Sequence, residues 1–321
     1  MYHEILDIKS FLPIDGISLD QMSKSYDYDL DYLKNKIGFS FWPRLSTNEG
    51  ISDMAYNAAA LLKENNPKKF YEAKLLICIT QNPDYKLPTT ANLLQERLSL
   101  GNDLICFDIN QGCSGYILGL NAASSIMSQN NINSGILITS DAYSKVMDKN
   151  DSKTNPLFGD GATATLLSNS MKPFFLSWDC GSDGSQNEAL IVKGGGSKNP
   201  LELPIGEYAL EMSGREIFNF ACTVVPKAIL RCISKINIDL NEIDYFVLHQ
   251  ANKYIVEAIA KILKVSHEKC PFLLQESSNT ISSTIPMALE KLKFKNKLKG
   301  KKVILAGFGV GLSWGIACVQ F

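Results

Sequence analysis

The chain has 321 residues, 45% of them hydrophobic and 20% charged, with 32 Lys plus Arg against 33 Asp plus Glu and a formal net charge of −1. That is too long for one small domain and too apolar for a disordered or coiled-coil chain, so it predicts two packed units or one large layered body. The balanced charge gives no general affinity for phosphate backbones or anionic lipid, so neither nucleic acid nor membrane is an expected partner.

In chain order, the first twenty residues carry Glu4, Asp7 and Asp15 and no long apolar core, which predicts no signal peptide. A helix is expected over 51–64, a strand over 74–80, a helix over 89–98, a strand over 104–109, a helix over 115–128, and strands over 135–140 and 162–167. Then follow a helix over 215–236, a strand over 245–248, helices over 253–263 and 285–293, and a strand over 302–306. The alternation predicts a mostly parallel sheet with helices on its faces. The longest apolar runs, 75–79 and 303–306, fall far short of the ~20 residues of a membrane helix. The glycine cluster at 193–197 reads as a loop. No linker divides the chain, so two halves, 1–170 and 171–321, are expected to meet without a tether. The basic run 291–302 reads as a solvated helix end and loop, with a carrier-protein contact as the lesser alternative.

Eight Cys accompany only three His, and no C-x-x-C pair occurs, which removes the common zinc and redox signatures; no metal site and no cofactor are expected. A cytoplasmic protein with free thiols follows, and most of those thiols, Cys106 in its strand included, read as small buried hydrophobes. Cys113 differs. It sits in Asn110-Gln111-Gly112-Cys113-Ser114-Gly115, between a predicted strand and a predicted helix. The free amides at a helix N-terminus favour thiolate, which would lower the thiol's pKa and make a nucleophile. A buried Cys in a close strand-to-helix crossing explains the same pattern equally well.

His249 ends an apolar strand in Leu248-His249-Gln250-Ala251-Asn252, at the strand end where α/β sheets present catalytic groups, although a lone His there is more often a core or capping residue. His3, ahead of the first strand, and His267, in a polar turn, have weaker claims. Asn279, in Ser277-Ser278-Asn279-Thr280, offers a neutral amide donor beside a developing negative charge, while a turn or cap explains it more simply. The loop Gly307-Phe308-Gly309-Val310-Gly311 follows a strand but stands too near the end of the sequence for a βαβ dinucleotide unit; close backbone approach to a substrate or another loop fits it better.

Together these segments resemble the β-ketoacyl-[acyl carrier protein] synthase III group of the thiolase-fold condensing enzymes. The resemblance rests on Gly112-Cys113-Ser114-Gly115, Phe158-Gly159-Asp160-Gly161-Ala162, Met212-Ser213-Gly214-Arg215-Glu216-Ile217-Phe218, His249-Gln250-Ala251-Asn252, Ser278-Asn279-Thr280 and the closing Gly-rich loop with Trp314-Gly315, in that order. It implies an α/β chain with a thiolase-like fold, two similar halves in five αβαβα layers, usually dimerised. The first half would carry the nucleophilic Cys113, and the second His249 and Asn279. The implied chemistry is transfer of an acyl primer from a thioester to Cys113, with an oxyanion hole from the Cys113 amide and the Gly309-Val310-Gly311 loop. A malonyl thioester, malonyl-acyl carrier protein, then loses carbon dioxide while His249 and Asn279 hold the enolate. A β-ketoacyl thioester results, and no cofactor is needed.

Departures from the family pattern bear on the donor. Where members that start fatty-acid synthesis hold coenzyme A with a Trp and an Arg, this sequence offers Tyr32 and Lys36, with Trp42 and Arg44 nearby, and only Ser152 and Lys153 near the place of a further Arg. The primer therefore arrives on coenzyme A or on a carrier protein. Leu87 matches a position that lines the partner subunit's acyl pocket in the family. Lys253, beside Tyr254, is the remaining cation where a docking Arg is usual. Two competing readings are an acyltransferase moving the Cys-bound acyl group to a hydroxyl or amine, and a non-catalytic subunit that shapes another synthase's product.

Overall fold

The computed structural model describes residues 1–199 and 209–321. The chain opens on strand β1 (Tyr2–Phe11), then a ribbon of β2 (Gly16–Ser18) and β3 (Phe41–Pro43) that brackets helices α1 (Leu19–Tyr26) and α2 (Leu30–Tyr32). Next come α3 (Ile51–Asn65), α4 (Pro67–Tyr71), β4 (Leu75–Ile79), α5 (Thr90–Arg97), β5 (Ile105–Ile109), α6 (Gly115–Gln129), β6 (Ser134–Asp141) and β7 (Gly161–Ser170). Beyond them lie β8 (Phe175–Ser182), a ribbon of β9 (Leu190–Val192) and β10 (Leu210–Met212), α7 (Gly214–Thr223), α8 (Val225–Ser234), β11 (Tyr245–Leu248), α9 (Lys253–Leu263), α10 (Thr284–Phe294), β12 (Lys302–Gly309) and β13 (Ser313–Gln320).

The strands form two main sheets, ordered β1-β7-β6-β4-β5 and β11-β12-β13-β8. Pairing is parallel between β4 and both its neighbours and between β11 and β12, and antiparallel for β1/β7, β6/β7, β12/β13 and β13/β8. The sheets are therefore mixed, where the alternation of elements predicted mostly parallel ones. The reason is that β7 and β13 each return beside the preceding strand with no crossover helix, which only an antiparallel pair allows. Read as β8, β13, β12, β11 against β1, β7, β6, β4, the second sheet repeats the pairing senses of the first. On the far side of β11, where β5 would correspond, the Lys269 carbonyl accepts the Phe246 N–H at 2.7 Å.

Alternate residues of each strand feed different cores. In β4, Leu75, Ile77 and Ile79 face inward to α6 and α10, while Leu76 and Cys78 face outward to α3 and α5. From the other side, Val303 and Leu305 of β12 meet the same two helices, and Ile304, Ala306 and Phe308 meet α7, α8 and α9. The layers thus run α3/α5, sheet, α6/α10, sheet, α7/α8/α9: a thiolase-like αβαβα body. Because central strands are covered on both faces, they read as unbroken apolar runs such as Leu-Leu-Ile-Cys-Ile. Burial of each such side chain contributes roughly 1.5–3 kcal/mol, which makes the central layer a rigid platform.

Other expectations are revised. The helix expected over 215–236 is two, with Pro226 at the start of α8 supplying the break. The stretch Gly214–Ser234 is, by length and composition, long and apolar enough to cross a membrane; its inner face, with Ala221, Val225, Ile229 and Cys232, packs into the outer layer here. His3 lies within β1, with Nε2 3.2 Å from the Ile132 carbonyl. Cys78, Cys232, Cys270 and Cys318 are buried, but Cys106 and Cys222 are half-buried and Cys180 is exposed. In the basic run, Lys291 and Lys293 donate to the Leu273 and Leu6 carbonyls, and Lys301 and Lys302 pair with Asp244 and Glu242. Those four serve the fold.

Candidate active site

Cys113 stands in the turn between β5 and α6, one residue ahead of the helix N-cap, and is only 5% exposed. The turn closes by Gly115 N–H donating to the Gly112 carbonyl at 2.7 Å. It is then tied to the second sheet. Gln111 Nε2 donates to Ser114 Oγ at 3.0 Å and to Ser313 Oγ at 2.8 Å, and the two hydroxyls are 2.8 Å apart. Ser313 Oγ in turn donates to the Val310 carbonyl at 2.7 Å, which fixes the Gly309-Val310-Gly311 loop beside the thiol. A Cβ placed on Gly307 would lie 2.7 Å from the Cys113 carbonyl oxygen, so a side chain there would force β12 away from the turn. Around the sulfur, Tyr143, Met147, Phe158, Leu190, Leu210 and Ile281 form an apolar cluster, an environment suited to a hydrocarbon chain.

The expected lowering of the thiol's pKa is overturned. Burial, reinforced by the charge of Asp141, pushes Cys113 up to about 12, against a smaller opposing effect from its own backbone N–H. The sequence shows the helix terminus but not the desolvation, and desolvation wins. Asp141, at the end of β6, is itself pushed up to about 7 by burial, although it accepts from Gln81 N–H and Ser282 Oγ, each at 2.8 Å.

His249 follows β11, its N–H donating to the Ala306 carbonyl at 2.8 Å, so it stands beside the β12 segment that touches Cys113. Its ring meets Phe308 edge-on, with centroids 5.6 Å apart. Nδ1 lies 2.6 Å from Thr284 Oγ1, leaving Nε2 as the ring nitrogen free for a substrate. Burial drives its pKa down to about 3, so the imidazole is neutral at pH 7. Thr284 is a site residue that the sequence did not disclose, because a Thr in a Ser/Thr-rich run before a helix looks like a cap.

Asn279 is held by backbone pairing with the Phe158-Gly159-Asp160-Gly161 motif: its N–H donates to the Leu157 carbonyl at 3.1 Å, and its carbonyl accepts from Gly159 N–H at 3.0 Å. Its Oδ1 accepts from Ile281 N–H at 3.0 Å, so the two amide hydrogens of Nδ2 are left to donate elsewhere. The turn role expected of Asn279 is therefore met by Oδ1 alone. Asp160, fully buried, braces the motif by accepting from Leu45 N–H at 2.7 Å and from the Ser144 N–H and hydroxyl. Trp42 and Arg44 also serve it, donating to the Pro156 and Phe158 carbonyls at 2.8 and 2.7 Å, which removes them as donor contacts.

Lys36 and Lys253 fall at one surface. The Lys36 ammonium lies over the Tyr254 ring at 4.8 Å, and a Cβ on Gly38 would strike Lys253 Cβ at 2.5 Å. Tyr32 stacks on Tyr28 at 5.5 Å, and the Tyr28 hydroxyl donates to the Ser152 carbonyl at 2.6 Å, so the chain's own aromatic ring stands between Tyr32 and that segment. Leu87 is 86% exposed and does not line the cluster around Cys113 in its own chain. Among the described residues, no group of three His, Cys, Asp or Glu side chains is placed to hold a metal ion.

Five αβαβα layers, with a buried thiol beside the β12 segment that neighbours His249 and beside the Phe158 segment that pairs with Asn279, are the architecture of a thiolase-fold acyltransferase. The description 3-Oxoacyl-[acyl-carrier-protein (ACP)] synthase III matches residues 107–184, and that of its C-terminal region matches 233–321. A β-ketoacyl-[acyl-carrier-protein] synthase III of Clostridium acetobutylicum is 33% identical over 97% of this chain and 96% of its own, and one from Lactococcus lactis subsp. cremoris strain MG1363 is 34% identical over 99% of each. The solved structure of a 3-oxoacyl-(acyl-carrier-protein) synthase III superposes with a TM-score of 0.95 at 33% identity over the whole of both chains; that from Pseudomonas aeruginosa PAO1 gives 0.91 at 26% identity over 100% of this chain and 98% of its own. The chain belongs to the β-ketoacyl-[acyl-carrier-protein] synthase III family.

Proposed function

We propose that this enzyme carries out a decarboxylative Claisen condensation in two half-reactions, with Cys113 as nucleophile. The observation that carries the assignment of roles is the convergence of three segments, from β5/α6, β11/β12 and 277–284, on one buried thiol in an apolar cluster. Cys113 takes the acyl group from a primer thioester, and the tetrahedral oxyanion is held by the Cys113 amide and the amides of the Gly309-Val310-Gly311 loop. A malonyl thioester, on acyl carrier protein, then loses carbon dioxide. Asn279 Nδ2 and His249 Nε2 hold the enolate oxygen while the new carbanion attacks the acyl-Cys, releasing a β-ketoacyl thioester and the Cys113 sulfur.

Lys36, over the Tyr254 ring, gives that surface a cation that suits an acidic carrier, with Lys253 beside it paired to Glu257, and Tyr28 filling the side of Tyr32 favours a carrier-borne primer over coenzyme A. A homodimer is also part of the reading. Among the described residues, strand β5 is an outer strand of its sheet with no partner beyond it, carrying the exposed Ile105 and the half-buried Phe107 and Ile109, and such an edge is normally covered. Pairing of β5 with a second copy would set the exposed Leu87 against the partner.

The roles are tested by intact-protein mass spectrometry after incubation with matched acyl groups on coenzyme A and on acyl carrier protein. A single acyl adduct is expected, lost in Cys113→Ala and formed faster from the carrier. An adduct that survives Cys113→Ala would remove the nucleophile assignment.

A further inference from the structure

The hydroxyl of Thr284 has one hydrogen and two neighbours. The Ile281 carbonyl lies 3.2 Å away and can only accept, while His249 Nδ1 at 2.6 Å can either donate or accept. Both side chains are buried, Thr284 completely, so no bulk water competes for these groups. If the hydroxyl gives its hydrogen to Ile281, its lone pair faces Nδ1, and that nitrogen must carry a hydrogen.

The geometry points to Thr284 as the positioning residue that fixes His249 as the Nδ1–H tautomer, so that Nε2 presents a lone pair to the Cys113 thiol. This inference rests on the reading of Cys113 as nucleophile and supplies what that reading lacks, a base for a protonated thiol. In the first half-reaction the Sγ–H bond breaks and its proton moves to Nε2, while Sγ bonds to the acyl carbon. The carbon–sulfur bond of the incoming thioester then breaks, and the departing thiolate takes a proton from water. The ring is now an imidazolium, with Nδ1–H held by Thr284 in a charge-assisted bond that offsets part of the cost of burying it. Its Nε2–H becomes the donor for the enolate oxygen in the second half-reaction. When the product forms, Cys113 leaves as thiolate and recovers the proton from Nε2. The one proton taken from water is the one the overall condensation consumes. The same nitrogen thus serves as base first and as donor second.

The titratable groups acting on Cys113 are Asp141 and Tyr143, and burial is the one influence on His249. The test compares Thr284→Val, which keeps the shape, with Thr284→Ser, which keeps the hydroxyl. Acylation of Cys113 and carbon dioxide release by pre-acylated enzyme are timed separately from pH 6 to 9. In Thr284→Val, acylation should fall about 10- to 100-fold at pH 7. Its rate relative to wild type should climb toward about tenfold per pH unit, because attack then depends on spontaneous ionisation of the thiol; titration of Asp141, common to all forms, cancels in the ratio. Thr284→Ser should stay within a few-fold of wild type with a constant ratio. A Thr284→Val enzyme whose ratio does not change with pH, or a Thr284→Ser enzyme as impaired as the Val form, overturns the assignment. A wild-type enzyme that never acylates Cys113 fails earlier and takes the nucleophile reading with it.

Discussion

Gly309, at the end of β12, stands close against Cys113 after β5: a Cβ built on Gly309 would lie 2.9 Å from Cys113 Cβ and 3.0 Å from Sγ. The last turns of β12 are therefore shaped to the thiol, and the absence of a side chain at Gly309 leaves the sulfur room to attack.

Gly309→Ala should displace the thiol by a few tenths of an ångström or more and slow acylation of Cys113 by about 10- to 100-fold, since small misplacements of a reacting atom are costly. The fold should persist, because the neighbour that must move is one small side chain. Rapid-quench mass spectrometry of the acyl-enzyme checks this.

A thiol held up near 12 is almost wholly protonated at pH 7. Alkylation of Cys113 by iodoacetamide in His249→Ala, which has no imidazole to take the proton, should accordingly be slow and should rise about tenfold per pH unit from 7 to 10 without levelling. A plateau below pH 8, followed by peptide mass spectrometry, would show a thiolate-stabilising site instead.

Asp160→Ala removes the acceptor of the Leu45 and Ser144 N–H groups in a buried setting. Stability should fall by about 2–5 kcal/mol, measured as a shift in the urea midpoint. The same change loosens the Phe158-Gly159 segment that pairs with Asn279, so carbon dioxide release should fall in the molecules that remain folded.

Along β5, Ile105 N–H donates inward to the Lys74 carbonyl at 3.0 Å, so by alternation the Cys106 N–H points out of the open edge. Cys106→Pro removes that outward donor while leaving the ladder to β4 intact. Light scattering should find a dimer for the natural sequence and an increased monomer fraction for the variant.

What could be read from the sequence was local. The run at 74–80 and the helix at 115–128 match β4 and α6 closely, because a strand covered on both faces is apolar throughout and the following helix starts at a small-residue turn. Strands β1, β8 and β13 carry little sequence signal: His3, Glu4, Asp7 and Lys9 interrupt the apolar pattern of the first, and small residues dilute that of the last. Cys113, His249 and Asn279 could be picked out by residue type and neighbours. Thr284, Asp141 and the Gln111-Ser114-Ser313 tie could not, since each owes its place to contacts made across sheets. The thiol's ionisation is hidden for the same reason: a helix terminus is visible in sequence, and burial is not.

The central claim is that an acyl group on Cys113 is consumed by a decarboxylating malonyl thioester, and the most direct measurement is carbon dioxide release from malonyl-acyl carrier protein labelled at its free carboxyl, using enzyme acylated beforehand on Cys113. One equivalent of labelled carbon dioxide per acyl-enzyme is predicted, with loss of the acyl adduct and appearance of a β-ketoacyl carrier protein, and release slowed in Asn279→Ala. Loss of the acyl group to a hydroxyl or amine acceptor with no labelled carbon dioxide would contradict it.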